Sequence, residues 1–165
     1  MADQKVMLIL RGVKGKYPDP QRGGEMVDWP DGALDEKSAL AYAECRHYSG
    51  KVLPVEGFAA FGSPQMLRAM DAIGTDKNIA GLYGFSGGGF NLYHILHALK
   101  AEDRPRIQLV VVLGVWYPEK SRRTEADYKA SAYKGGSWEL VYRKDPAKGH
   151  MYGPMTLLEE CKGSK

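Results

Sequence analysis

The sequence predicts a single-domain α/β protein with a doubly wound, mainly parallel sheet of five strands. Short apolar runs alternate along the chain with longer amphipathic runs, and Gly or Pro residues separate them. This alternation is typical of strand–helix–strand units around a parallel sheet. A chain of 165 residues can bury one continuous hydrophobic core. We therefore expect one domain, residues 1–165, with one functional site.

Five apolar runs are the predicted strands. They are short, as expected of strands buried inside a parallel sheet, and they cover residues 5–11, 51–55, 79–83, 107–115 and 138–143. Four helices are predicted between the strands. The first covers residues 36–48 and is capped by Asp35, and the second begins at Pro64, directly after Ser63, and ends at Gly74. The third follows the glycines at 87–89, and the fourth covers residues 118–133. Residues 13–35 are rich in Gly, Pro and charge, and are interpreted as a long functional loop.

Composition and charge exclude several classes of protein. The chain has 44% hydrophobic and 26% charged residues, with a formal net charge of only +3, as in ordinary globular proteins. Lysines and arginines are interspersed with acidic residues, so no basic run of the kind used by nucleic-acid binders occurs. We expect no nucleic-acid partner and no membrane span, and the sequence carries no indication of oligomeric state.

The first apolar stretch, residues 6–10, lacks the length and the flanking residues of a signal peptide. A cytoplasmic location is therefore expected. Cys45 and Cys161 lie far apart in the sequence, and without a secretory signal such a pair is interpreted as two free thiols.

The segment Gly84-Phe85-Ser86-Gly87-Gly88 fits the pattern G-x-S-x-G. It lies directly after a predicted strand and before a predicted helix, which is the context of a nucleophile elbow. Small residues permit the sharp turn that lifts a serine hydroxyl above the sheet. Ser86 is therefore the predicted nucleophile. A phosphate-binding turn and a strand–helix connection without chemistry are the alternatives, although no lysine follows to complete a Walker loop.

A nucleophilic serine needs a general base and a group that orients the base. Three of the four histidines, at positions 47, 94 and 97, fall on predicted helices and are interpreted as ordinary helix residues. His150 follows the last predicted strand in a Gly- and Pro-rich segment and is the predicted base. Asp145, just after the same strand, is the predicted orienting acid, with Glu119 as its competitor. The chain order Ser, Asp, His is that of α/β-hydrolases.

Four segments together resemble the cutinase-like serine esterases, which are compact α/β-hydrolases. They are Leu10-Arg11-Gly12 at the end of the first strand, Gly84 to Gly88, the acid Asp145, and His150-Met151-Tyr152-Gly153-Pro154. In that family the turn after the first strand usually carries a serine. This sequence has Val13 at that position, and valine can donate a hydrogen bond only through its backbone N–H. The resemblance implies an oxyanion hole formed by backbone N–H groups of Gly87 and of Gly12 or Val13.

The expected function is that of a serine esterase that cleaves a small-molecule carboxylic ester through an acyl-enzyme intermediate. No metal or organic cofactor is expected. Aromatic residues at or after the ends of predicted strands are predicted to line the acyl pocket, namely Phe85, Trp116, Tyr117 and Tyr152. The main alternative is a catalytically silent hydrolase fold that binds a ligand or a partner protein. The second alternative is a phosphate- or nucleotide-binding α/β domain that binds its ligand through the glycines at 87–89.

Overall fold

A five-stranded sheet forms the centre of the protein, and all its strands are parallel. The computed structural model describes residues 4–11, 16–28, 32–53, 62–114, 124–132, 137–143 and 152–163. The strands of this sheet are β1 (Val6–Leu10), β4 (Ser49–Leu53), β5 (Ile79–Phe85), β6 (Leu109–Leu113) and β7 (Glu139–Arg143). Across the sheet their order is β4-β1-β5-β6-β7. The predicted five-stranded parallel sheet is confirmed.

The chain reverses its direction of travel across the sheet between β1 and β5. From β1 it goes to β4 on one side, and it then returns past β1 to build β5, β6 and β7 on the other side. In a doubly wound sheet this arrangement creates a switch point, and ligands bind there beyond the carboxyl ends of the strands. Leu10 pairs with Gly84 in the β1–β5 register. Arg11 and Ser86 therefore follow adjacent strand ends at the switch point.

The distribution of apolar residues explains which strands lie in the centre of the sheet and which lie at its edges. Every residue of β5 and β6 is buried, and in β1 only Val6 is partly exposed. Edge strands β4 and β7 instead carry exposed residues, at alternate positions in β4 and at the two ends of β7. Continuous apolar runs are what a strand covered on both faces requires, whereas an edge strand can present polar residues to water.

Helices cover both faces of the sheet. The apolar cluster on one face includes residues of α1 (Gly32–Cys45) and α5 (Tyr152–Gly163). The cluster on the other face includes residues of α2 (Pro64–Thr75), α3 (Gly87–Ala98) and α4 (Glu125–Ala132). None of the described helices is long and apolar enough to cross a membrane. The result is an α/β fold of three layers, consistent with double winding.

Local sequence signals placed some helix ends correctly and others wrongly. α2 begins at Pro64 as predicted, and Ser63 caps it, because its side chain accepts a hydrogen bond from the Met66 N–H at 3.3 Å. The prediction that α1 begins behind Asp35 is wrong, since the helix already begins at Gly32. Helix α5 was not predicted, because Gly153 and Pro154 in its first turn are typical of a loop, although the first turn of a helix tolerates proline.

Of residues 13–35, the predicted loop, the structure describes 16–28 and 32–35, and these contain more regular structure than a loop. Strands β2 (Lys16–Asp19) and β3 (Glu25–Asp28) pair antiparallel as a separate hairpin. A short 3-10 turn and the dipeptide Gly23–Gly24, with φ of 65° and 85°, join them. Glycine adopts positive φ without steric cost, which explains why the chain reverses here.

The expectation of two free thiols is wrong, because Cys45 and Cys161 form a disulfide. Cys45 is the last residue of α1 and Cys161 lies in α5, and these two helices pack side by side on the same face of the sheet. Their Cα atoms are 6.5 Å apart, within the range of a disulfide. The sequence analysis did not predict helix α5, so it gave no reason to expect Cys161 close to Cys45.

Candidate active site

Ser86 occupies the turn between β5 and α3 and has an unusual backbone conformation. Its φ is 57° and its ψ is −119°, a combination that a residue with a side chain rarely adopts. Its N–H donates to the Leu113 carbonyl at 2.9 Å, and its carbonyl accepts from the Gly89 N–H at 3.0 Å. The side chain is partly exposed and makes no capping hydrogen bond to the helix. The turn therefore holds the serine backbone rigidly while its hydroxyl is not used to cap α3.

Two glycines allow the turn to be this tight. A Cβ atom on Gly84 would lie 2.8 Å from the Gly88 carbonyl oxygen. On Gly88 it would lie 2.6 Å from the Arg11 carbonyl oxygen and still closer to that of Leu10. Because these neighbours are backbone atoms, they cannot rotate away as a side chain can. The first turn of α3 thus lies directly against the end of β1.

Replacing Gly88 by alanine is expected to lower the free energy of unfolding by about 3 kcal/mol, because the added methyl group overpacks a site bounded by backbone. Gly74 is the matched control, since it also lies in a helix but a Cβ there meets no atom within 4 Å. Gly74→Ala should raise the free energy of unfolding by about 0.5 to 1 kcal/mol. Urea denaturation of the three proteins measures both effects, and equal stabilities for the two variants would contradict the close approach.

The first turn of α3 presents backbone donors at the serine. Helix geometry leaves the N–H groups of Gly87 and Gly88 without acceptors inside the helix. The helix dipole adds a partial positive charge at the same end. Tyr128 of α4 is fully buried, and its hydroxyl donates to the Gly89 carbonyl at 2.7 Å. This contact, which the sequence did not reveal, ties α4 to the turn that carries Ser86.

Other predicted site residues fall mostly outside the described residues. This applies to the oxyanion residues Gly12 and Val13, to the base His150, to both candidate acids Asp145 and Glu119, and to the aromatic residues Trp116 and Tyr117. Phe85 is described: it is 5% exposed and packs in the apolar cluster on the α1–α5 face. Tyr152 is the first residue of α5. Substrate contact by Phe85 or Tyr152 stays a prediction.

Backbone hydrogen bonds connect Ser86 to the end of the last strand. Ser86 donates to Leu113 at the end of β6, and the Gly114 N–H donates to the Arg143 carbonyl at the end of β7, at 2.8 Å. Neighbouring strands lie about 4.8 Å apart, so the carboxyl end of β7 is about 10 Å from the serine. Asp145 and His150 follow Arg143 along the chain, before α5 begins. An extended residue spans about 3.3 Å, so the chain after β7 is long enough to reach Ser86.

Among the residues that the structure describes, no group of three or more His, Cys, Asp or Glu side chains could hold a metal ion. The described part of the site consists instead of a serine, helix amides and close-packed glycines. These features define the protein as an α/β protein with a serine on a strained strand–helix turn at the switch point of its sheet. Comparisons with protein-family models, with curated proteins and with solved structures found no match to this chain.

Proposed function

We propose that the protein is a serine hydrolase that cleaves carboxylic esters, similar in its chemistry to the cutinase-like serine esterases. The observation that carries the proposal is the conformation of Ser86, with φ of 57° at the switch point of the sheet. A strained backbone at such a position persists only where the surrounding structure enforces it, and such positions cluster at active sites. The G-x-S-x-G pattern supplies the matching sequence signal.

In the proposed reaction the Ser86 Oγ attacks the ester carbonyl carbon while His150 accepts the hydroxyl proton. The carbonyl oxygen becomes an oxyanion, which accepts hydrogen bonds from the Gly87 N–H and from the N–H of Gly12 or Val13. The C–O bond then breaks, and the leaving alcohol takes the proton from His150. A water molecule, deprotonated by His150, hydrolyses the acyl-enzyme in the same way and regenerates Ser86. Asp145 orients His150 and stabilises its protonated form.

Labelling with a fluorophosphonate tests this proposal, because the reagent forms a stable adduct only with an activated serine. We expect one adduct per chain by intact mass, located on Ser86 by peptide mapping. Ser86→Ala should abolish labelling. Ser49→Ala is the matched control, since Ser49 is exposed at the amino-terminal end of edge strand β4, whereas Ser86 follows the carboxyl end of β5, and this variant should leave labelling unchanged.

The absence of an adduct on folded protein would contradict the hydrolase proposal. It would favour a catalytically silent fold that binds a ligand or a partner protein, because a fold alone does not establish chemistry.

We also propose that the protein is cytoplasmic, although the Cys45–Cys161 disulfide is an observation against this location. Disulfides persist mainly in oxidising compartments, whereas cytosolic thiols are kept reduced. Rapid alkylation of thiols in intact cells that produce the protein tests the location. Alkylation of both Cys45 and Cys161 would agree with the cytoplasm, and protection of both would place the protein in an oxidising compartment.

A further inference from the structure

A cavity of about 500 Å³ lies at the amino-terminal edge of the sheet. Its lining comes from the chain just before β1 and β6, from the start of β7 and from the turn between α1 and β4. The polar side chains in this lining include those of Lys5, Arg46, His47, Tyr48, Gln108 and Glu139. An extended strand advances about 3.3 Å per residue, so Lys5 and the switch-point residue Arg11 are about 20 Å apart. The cavity is therefore separate from the proposed active site.

The turn after α1 brings two side chains to the cavity. The Tyr48 N–H donates to the Ala43 carbonyl at 2.8 Å, and the His47 N–H donates to the Glu44 carbonyl at 2.9 Å. These are the hydrogen bonds of a Schellman motif, in which the residue of positive φ is usually glycine. Here that residue is His47, with φ of 68°. A side chain kept at such a position despite its steric cost is an indication of a functional role.

Tyr48 contributes a hydroxyl group that no described residue uses. Its ring lies against β5, since a Cβ atom on Gly81 would be 3.1 Å from Tyr48 Cε1. The residue is only 7% exposed, and in the described part of the chain no group forms a hydrogen bond with its hydroxyl. Burial raises the pKa of Tyr48, so the phenol stays protonated at neutral pH. The hydroxyl is therefore available to an acceptor that enters the cavity.

Positive charge exceeds negative charge around the cavity. Lys5 is exposed, and its Nζ donates to the neutral Gln108 Oε1 at 2.7 Å. Within the described ranges, no carboxylate forms an ion pair with it. Arg46 is different, because its Nη2 lies 2.8 Å from Glu139 Oε1 and its Nη1 donates to the Tyr42 hydroxyl at 2.8 Å. Glu139 thus neutralises Arg46, and the Lys5 ammonium is the charge that remains for a ligand.

We propose that this cavity is a binding site for a small organic anion, whose phosphate or carboxylate group pairs with Lys5 and accepts a hydrogen bond from Tyr48. An oxyanion is an acceptor only, and both of these side chains are donors at neutral pH. The lysine ammonium is a compact point charge that binds phosphate and carboxylate groups alike.

The size and the base of the cavity agree with a small molecule rather than a bare ion. Its volume lies within the range of about 300 to 1,000 Å³ that is usual for small-molecule sites. Buried Leu109 and the Tyr48 ring offer apolar surface to the uncharged part of the ligand. The inference is independent of the proposed hydrolase function, since none of the lining residues takes part in that reaction.

Isothermal titration calorimetry with phenyl phosphate, benzoate and phenol tests the site. The three probes share an aromatic ring, so the comparison isolates the charged group. We expect the tighter of the two anions to bind with a Kd of about 0.1 to 1 mM, and phenol to show no binding. Its identity tells whether the site takes a phosphate or a carboxylate group. Lys5→Gln and Tyr48→Phe should each raise the Kd about five- to tenfold, because each removes one donor to a charged acceptor.

Two further variants separate this site from general effects of charge and stability. Lys129→Gln is the matched control, because it removes the same charge from an exposed lysine of α4, on the other face of the sheet. It should leave the Kd within twofold. His47→Gly should raise the Kd about threefold and yet raise the melting temperature by about 2 to 4 °C, because glycine adopts positive φ without steric cost.

Amide chemical shifts in the presence of the anion locate the site. Changes should centre on residues 4–5, 46–49, 108–109 and 139, and changes centred on 86–89 would place the anion at the serine turn and overturn the inference. Failure of both anions to bind at about 10 mM would overturn it as well. So would an affinity unchanged in both Lys5→Gln and Tyr48→Phe, or an equal loss of affinity in Lys129→Gln. Labelling of Ser86 decides the hydrolase proposal alone and has no bearing on this site.

Discussion

Replacing Ser86 by alanine is expected to reduce ester hydrolysis by about 10⁴-fold or more, down to the level that backbone donors and substrate binding alone support. The variant lacks the nucleophilic oxygen, and the alanine methyl group cannot form the acyl-enzyme in its place. Because the side chain makes no hydrogen bond that caps α3, the fold should be retained. Initial rates with a chromogenic ester, together with circular dichroism spectra, measure both expectations.

The variant Ser86→Gly separates two properties of Ser86: the hydroxyl that acts as the nucleophile, and the strained backbone conformation that positions it. Glycine adopts a φ of 57° without the steric cost that serine meets there. We expect Ser86→Gly to be as inactive as Ser86→Ala but more stable than it by about 1 kcal/mol in urea denaturation, even though glycine makes the unfolded chain more flexible. A Ser86→Gly variant less stable than Ser86→Ala would show that the turn stores no strain.

Features that depend on short stretches of chain were predictable from the sequence. β1, β5 and β6 are continuous apolar runs, and only strands covered on both faces can accommodate such runs. Ser63 followed by Pro64 marked the start of α2, because a hydroxyl acceptor and a fixed φ both favour a first helical turn. The turn at Ser86 was predictable for the same reason, since small residues must surround so sharp a bend.

Features that depend on contacts between distant segments were not predictable. Gln65 and Asn91 look like ordinary polar helix residues in the sequence, and only packing of α2 against α3 buries them together. The hydroxyl of Tyr128 likewise has meaning only once α4 lies against α3. α5 was missed because its first turn contains residues typical of loops, while its buried contact through Leu157 arises from tertiary packing.

Three contacts converge on one short region and explain how the serine turn is held. β6 holds the Ser86 N–H, α4 holds the Gly89 carbonyl through Tyr128, and the end of β1 lies against Gly88. Each contact comes from a different element of the fold. The conformation of Ser86 is therefore a property of the assembled sheet and its helices, since the local sequence permits the turn but does not enforce it.

Reducing the Cys45–Cys161 disulfide is expected to lower the free energy of unfolding by about 4 kcal/mol, because the bond closes a very long loop in the unfolded chain. The two cysteines are 116 residues apart in sequence, so the bridge removes conformational freedom from most of the unfolded protein. For a domain with a total stability of about 5 to 15 kcal/mol, this is a large share. The melting temperature should fall by about 10 °C.

Urea denaturation with and without a thiol reductant measures the effect. The m-value should rise on reduction, because an unfolded chain without the bridge exposes more surface. The double variant Cys45→Ala, Cys161→Ala is the control: it should match the reduced wild type and show no response to reductant. Two thiols that react with an aromatic disulfide reagent in native protein purified without reductant would contradict the bridge. Since α5 begins immediately after the segment that carries His150, the same bridge also anchors the helix that follows the proposed base.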